Sequence, residues 1–197
     1  MPKVSICIPY HHTEKTAYFL TRLLKSIEEQ TFKDYEIILT SEGLFAENHN
    51  AAIKKSKGEI IKILQMDDYF AHSNALQKIV DEFDEHVDKE WLISSTIHTD
   101  GRKHDPQWTD DIYKGNNRLG SVSSIAFRKR SLILFEEPLC WLVDCDWYYR
   151  MYLKYGFPLI SKDFGVVVDV RTDRLTHTIS YEVKSAEIYY LIQKYGK

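Results

Sequence analysis

Apolar and β-branched side chains alternate with smaller residues from Val4 to Pro9 (Val4, Ser5, Ile6, Cys7, Ile8, Pro9), which predicts a first strand. A polar loop follows. Phe19, Leu20, Leu23, Leu24 and Ile27 then recur at helical spacing, with Thr16 as a candidate cap. Residues 35–40 read as a second strand and residues 46–56 as a weaker helix ending near Gly58. The run Ile60, Ile61, Lys62, Ile63, Leu64 predicts a buried strand that stops abruptly at Asp67 and Asp68. Leu76, Ile79, Val80 and Phe83 mark another amphipathic helix with Ser73 as its candidate cap, and residues 91–97 are strand-like. Strands alternating with helices predict parallel βαβ units with right-handed crossovers. The pattern fades over residues 98–120. It resumes as a strand at 121–127, a helix from about Asp144 to Tyr155 closed by Gly156, a strand at 166–170 and a terminal helix carrying Val183, Ile188, Leu191, Ile192 and Tyr195. With no repeat, low-complexity run or linker, the expectation is one α/β domain over residues 1–197. Its sheet would be mostly parallel, with helices on both faces and an antiparallel strand or two in the second half.

Length and composition narrow the classes. A chain of 197 residues with 44% hydrophobic and 28% charged residues has the balance of an ordinary soluble globule. The net charge of −3 supplies no basic field, so nucleic acid is not an expected partner. No apolar run reaches bilayer length, so no membrane span is expected. The first residues lack the basic and apolar regions of a signal peptide. The three cysteines, Cys7, Cys140 and Cys145, form neither an even framework nor a CxxC pair, and the cytoplasm is the simplest compartment. Phosphate-binding GxxxxGK[ST], dinucleotide GxGxxG and nucleophile-elbow GxSxG patterns are all missing. The His11-His12 pair lacks zinc-site spacing.

The candidate chemistry gathers at strand ends. Asp67 and Asp68 follow a buried strand, and in an open α/β sheet ligands bind at that margin. Adjacent carboxylates there stay solvated or share a cation, and oxygen-only ligands suit Mg²⁺ or Mn²⁺, which keep waters and bridge phosphates. Asp110 and Asp111 are also paired but sit in a loop with no strand before them, and read as solvent-exposed. Pro9, Tyr10 and His11 follow the first strand; Tyr10 or His11 can stack on a nucleobase. Glu42 follows the second strand and can accept from a ring N–H of uracil, thymine or guanine, which neutral cytosine lacks. Asp144 and Asp146 open an aromatic helix; there a carboxylate can take a proton from an attacking hydroxyl or cap the helix. His177 stands alone after a late strand.

Together these stretches resemble the family-2 glycosyltransferases of the GT-A (Rossmann-like) fold. The resemblance runs in order through residues 4–11, 24–32, 34–39, 50–61, the Asp67-Asp68 pair, 123–129, 144–150 (Asp-Cys-Asp-Trp-Tyr-Tyr-Arg) and 174–177, and covers most of residues 3–180. It implies an inverting, hexosyl-type transferase that moves one sugar from a nucleoside-diphosphate sugar, UDP-sugar favoured, to a glycan or other hydroxyl-bearing acceptor. It further implies a Mn²⁺ or Mg²⁺ on Asp68 with Asp67 nearby, Asp144 as base, and Pro9, Tyr10, His11, Glu42 and His49 around the nucleoside. His177 would reach the diphosphate or the metal. Residues 1–97 would bind the donor and residues 98–197 the acceptor. The chain departs from the family pattern at Gln65, Ser41-Glu42, His49 and Val143. The rival readings are a non-catalytic nucleotide-sugar or glycan-binding module and a sugar-1-phosphate nucleotidyltransferase; the latter would want a Gly-rich, basic loop where Tyr10 to Thr13 stands. Oligomeric state is left open by the sequence.

Overall fold

The computed structural model describes residues 1–170 and 178–196. Strand β1 (Val4–Pro9) is buried throughout, and its alternation places Cys7 on one face of the sheet and Val4, Ile6 and Ile8 on the other. Beside it run β2 (Tyr35–Thr40) and β3 (Ile60–Ile63), both parallel to β1. The remaining strands are β4 (Tyr69–Phe70), β5 (Trp91–His98), β6 (Lys103–His104), β7 (Ile125–Arg128) and β8 (Leu159–Val168). The sheet order is β2-β1-β3-β7-β5-β8-β4, with β6 hung on β5. The long ladders, β1 with β2 and β5 with β8, are parallel, while β7 runs antiparallel to both β3 and β5. Gly58 lets β3 begin beside β1, since a Cβ there would lie 2.6 Å from the Ser5 nitrogen.

Helices cover both faces. Helices α1 (Thr16–Glu28) and α3 (Ala75–Glu85) pack Leu23, Ile27, Leu76, Ile79 and Phe83 against Ile6, Ile60, Leu92 and Val166. On the opposite face α2 (Phe45–Lys55), α4 (Val143–Tyr155) and α5 (Tyr181–Tyr195) enclose Ile53, Trp91, Phe127, Trp147 and Met151. Among the described residues no helix is long and apolar enough to cross a membrane.

The expected elements stand, with local differences. Thr16 does not cap α1. It is the first helical residue, and its hydroxyl accepts from the Thr13 N–H at 2.6 Å and donates to the His11 carbonyl at 2.7 Å, tightening the preceding loop. The residue before α3 is Asn74 rather than Ser73. The stretch expected as one strand over 121–127 opens with a 3₁₀ turn, Val122–Ser124, before β7, because Ser121 caps that turn by accepting from the Ser123 N–H. Strand β8 begins at Leu159, earlier than its apolar run, because it pairs with β5 across an irregular register that accommodates residues 162–165.

Candidate active site

The parallel strands β1 and β3 end at the same margin. Past Ile63 the chain leaves the sheet but remains pinned: the Leu64 N–H donates to the Cys7 carbonyl at 3.0 Å and the Gln65 N–H to Ser123 Oγ at 2.9 Å. A turn closed by the Asp68 N–H on the Gln65 carbonyl, at 3.0 Å, then presents the two carboxylates. Asp68 is buried. Its Oδ1 accepts the Asp169 N–H at 2.8 Å, just past β8, and its Oδ2 lies 3.4 Å from the Ser121 hydroxyl. Asp67 is half-buried. Behind them Lys62 is fully buried, donating to the carbonyls of Ser123 and Ile125; burial pushes its pKa down to about 7, and the charge of Asp68 acts the other way.

Asp144 comes from a different element. It sits in the first turn of α4, with Oδ2 accepting from Asn117 Nδ2 at 2.9 Å and Oδ1 from the Cys145 N–H at 2.8 Å. Burial raises its pKa above the usual carboxylate range, and those hydrogen bonds only partly offset this. Asn117 also closes the loop to Gly120, whose carbonyl takes the Tyr148 hydroxyl at 3.1 Å, so the loop and α4 hold one another. Neither Asp144 nor Asp146 caps the helix. Asp146 is buried against Arg150, Lys194 and Tyr195, at 2.7, 3.0 and 2.6 Å. The N–H groups ahead of α4 are taken instead by Glu187 of α5, whose carboxylate accepts from Cys140, Trp141 and Leu142 at 2.7–2.9 Å.

A cleft of about 500 Å³ is lined by both sets of residues. It brings together Pro9, His11, His49, Asp67, Asp68 and Asp144. Tyr10 and Glu42 stand apart from it. Tyr10 turns its ring edge-on to His12, and Glu42 pairs with Lys55 on the surface. His177 lies outside the described residues. His49 is buried, with its ring stacked on Phe45 at 3.9 Å and Nδ1 against the Phe45 carbonyl at 2.7 Å. A carbonyl only accepts, so Nδ1 carries the proton and Nε2 is an acceptor; Nε2 has no partner among the described residues. Burial pushes the ring's pKa down to about 4.

Several lining residues carried no local signal: Phe45, His98, His104, Ser121 and Trp141 reach the cleft only through the fold. Asp169, which does not line the cleft but gives its N–H to Asp68, did carry one. It follows the apolar run Val166-Val167-Val168 just as Asp67 follows β3, the same strand-then-acid signature. The donor set at Asp67 and Asp68 is oxygen-only and adjacent, which fits a hard divalent cation that keeps waters. Among the described residues no group of three His, Cys, Asp or Glu side chains converges as a complete metal cage.

No protein-family model matches the sequence, and no curated protein matches it. Solved structures do match in fold. TarS of S. aureus superposes with a TM-score of 0.70 at 16% identity, over 98% of this chain and 38% of that one. The 1–349 portion of TarS in complex with UDP-GlcNAc gives 0.67 at 18% identity, over 94% of this chain and 66% of that one. The mannosyltransferase PcManGT from Pyrobaculum calidifontis, in complex with GDP-Man and Mn²⁺, gives 0.69 at 14% identity, over all of this chain and 65% of that one. The chain therefore has the α/β fold of nucleotide-sugar glycosyltransferases, and it spans well under half of the longer TarS chain.

Proposed function

We propose that this chain is a family-2-type glycosyltransferase. It would move one sugar, a hexose by resemblance, from a nucleoside-diphosphate sugar to an acceptor hydroxyl with inversion. The observation that supports this most is that Asp68 and Asp144, from different elements of the fold, line one cleft. Asp68 and Asp67 would hold a Mn²⁺ or Mg²⁺, whose chemistry when bound is to neutralise charge on a departing diphosphate. Asp144 would take the proton of the acceptor hydroxyl as its oxygen bonds to the sugar carbon and the bond to the diphosphate breaks. Burial makes Asp144 a stronger base than an exposed carboxylate, and Asn117 fixes its orientation. Pro9, His11, Phe45 and His49 would hold the nucleoside. The His49 Nε2 acceptor would suit a ring N–H of uracil or guanine, the bases of the UDP-GlcNAc and GDP-Man complexes, and a UDP-sugar is the choice favoured by resemblance. Residues 1–97 would supply most of the donor side and residues 98–197 the acceptor side.

The test pairs binding with turnover. Calorimetric titration with UDP should show binding that strengthens with Mn²⁺ and is lost in Asp68→Ala. Asp144→Asn should keep that binding while turnover falls by about 10²–10⁴-fold, the usual contribution of a general base. Binding without donor turnover in the unaltered protein would make it a non-catalytic nucleotide-sugar module. A near-normal rate in Asp144→Asn would remove Asp144 as the base.

A further inference from the structure

The carboxylate turn is tied to the rest of the fold by one side chain far away in sequence. Arg22, midway along α1, sends Nη2 to the Asp67 carbonyl at 2.5 Å and to Asp169 Oδ2 at 2.9 Å. Its guanidinium lies over the Tyr69 ring, 4.5 Å from the centroid, with Tyr18 and Phe19 also beside it. Asp169 in turn gives its N–H to Asp68 Oδ1 at 2.8 Å. These contacts close a ring: Arg22 holds the backbone of Asp67 and the side chain of Asp169, and Asp169 holds the side chain of Asp68. The ring joins α1, the turn after β3 and the end of β8.

We infer that Arg22 is the positioning residue of the donor site, setting the Asp68 carboxylate through Asp169 without itself lining the cleft; this rests on the nucleotide-sugar reading above. Asp169 is 7% exposed, and a carboxylate at that depth is held there by its cation and its hydrogen bonds. Without the guanidinium Asp169 would lose a charged partner, and the chain that carries its N–H to Asp68 would be held less firmly. The Asp169 N–H also brings the carboxyl-bearing residues Asp68 and Asp169 together, with Asp67 next to Asp68 in the chain, before any phosphorylated ligand arrives. Arg22 supplies the cation that the cluster meets on the α1 side. A lysine would keep the charge and enough donors for both oxygens, but it would lose the planar face that stacks on Tyr69.

Three readouts on Arg22→Ala and Arg22→Lys test the assignment: amide hydrogen exchange at Asp68 and Asp169, UDP titration with and without Mn²⁺, and unfolding by urea. Arg22→Ala is expected to speed exchange at those two amides far more than in β1 and β5. Its Mn²⁺-dependent UDP affinity should fall by about 10–100-fold, the usual effect of losing an outer partner of a ligating group. Affinity for UDP without metal should change little, and Arg22→Lys should recover part of both losses. Wild-type protection at Asp169 in folded Arg22→Ala overturns the assignment, as does unchanged Mn²⁺-dependent affinity. If Arg22→Ala does not fold, Asp169→Asn keeps the shape, removes the charge and must move both readouts the same way; an Asp169→Asn protein indistinguishable from wild type also overturns it. Should the wild type itself show no Mn²⁺-dependent UDP binding, the nucleotide-sugar reading fails, and the exchange at Asp169 still decides the role of Arg22.

Discussion

His49 shows how one buried ring couples stability to acidity. Its pKa sits near 4 in the folded protein, below the ordinary value of 6.5, because burial disfavours the cation. Between those values the unfolded chain takes a proton that the folded ring refuses. The stabilisation from keeping His49 neutral is therefore complete above about pH 6.5 and is lost as the pH falls toward 4, by at most about 3 kcal/mol. Urea unfolding of wild type and His49→Leu across that window should show the wild type losing stability more steeply. Parallel curves would mean that the folded ring takes up its proton as readily as the unfolded chain does. Asp144 and Asp146 illustrate a different limit at this scale. Two positions apart on a helix they point to nearly opposite sides, so only one can face a given cleft. Asp144 is the one that does; the other is locked by Arg150, Lys194 and Tyr195.

Between elements, the terminal helix and the helix bearing Asp144 act as one unit. Glu187 accepts from the N–H groups that lead into α4, and Lys194 with Tyr195, about two turns further along α5, closes on Asp146. Cys140 and Trp141, held by Glu187, also line the cleft. Glu187→Gln would leave one acceptor oxygen for three buried or half-buried donors. It should cost about 1–3 kcal/mol in chemical denaturation, the penalty of an unsatisfied buried group. Hydrogen exchange should rise at residues 140–142. If neither moves, the N–H groups find water or another acceptor and α5 does not hold the cleft wall. In the sequence the Asp at the head of α4 read either as base or as cap. The acceptor for the N–H groups that lead into α4 belongs to a residue more than forty positions away, which no local pattern could indicate.

At the scale of the whole molecule, the two expected halves interleave. Strand β7 inserts between β3 and β5, and β8 flanks β5 on the other side. A fragment of residues 1–97 would leave β5 with neither neighbour and β3 with one bare edge. It should lack a cooperative urea transition, checked by circular dichroism against the full chain; a sharp transition in the fragment would mean that the donor half folds alone. The alternation of strand and helix, the burial of β1 and β3, and the acids that end β3 were all legible from residue order, because periodicity and strand-end chemistry are local. The 3₁₀ turn before β7, the early start of β8, the partnership of Glu42 with Lys55 and the ring through Arg22 were not. Sequence by itself determined which segments are strands and helices, and that carboxylates stand at a strand end. Only the tertiary structure decided that Asp68, Asp144 and His49 share one cleft and which distant side chains hold them there, because those contacts join positions separated by tens of residues, and their geometry is set by how the layers pack.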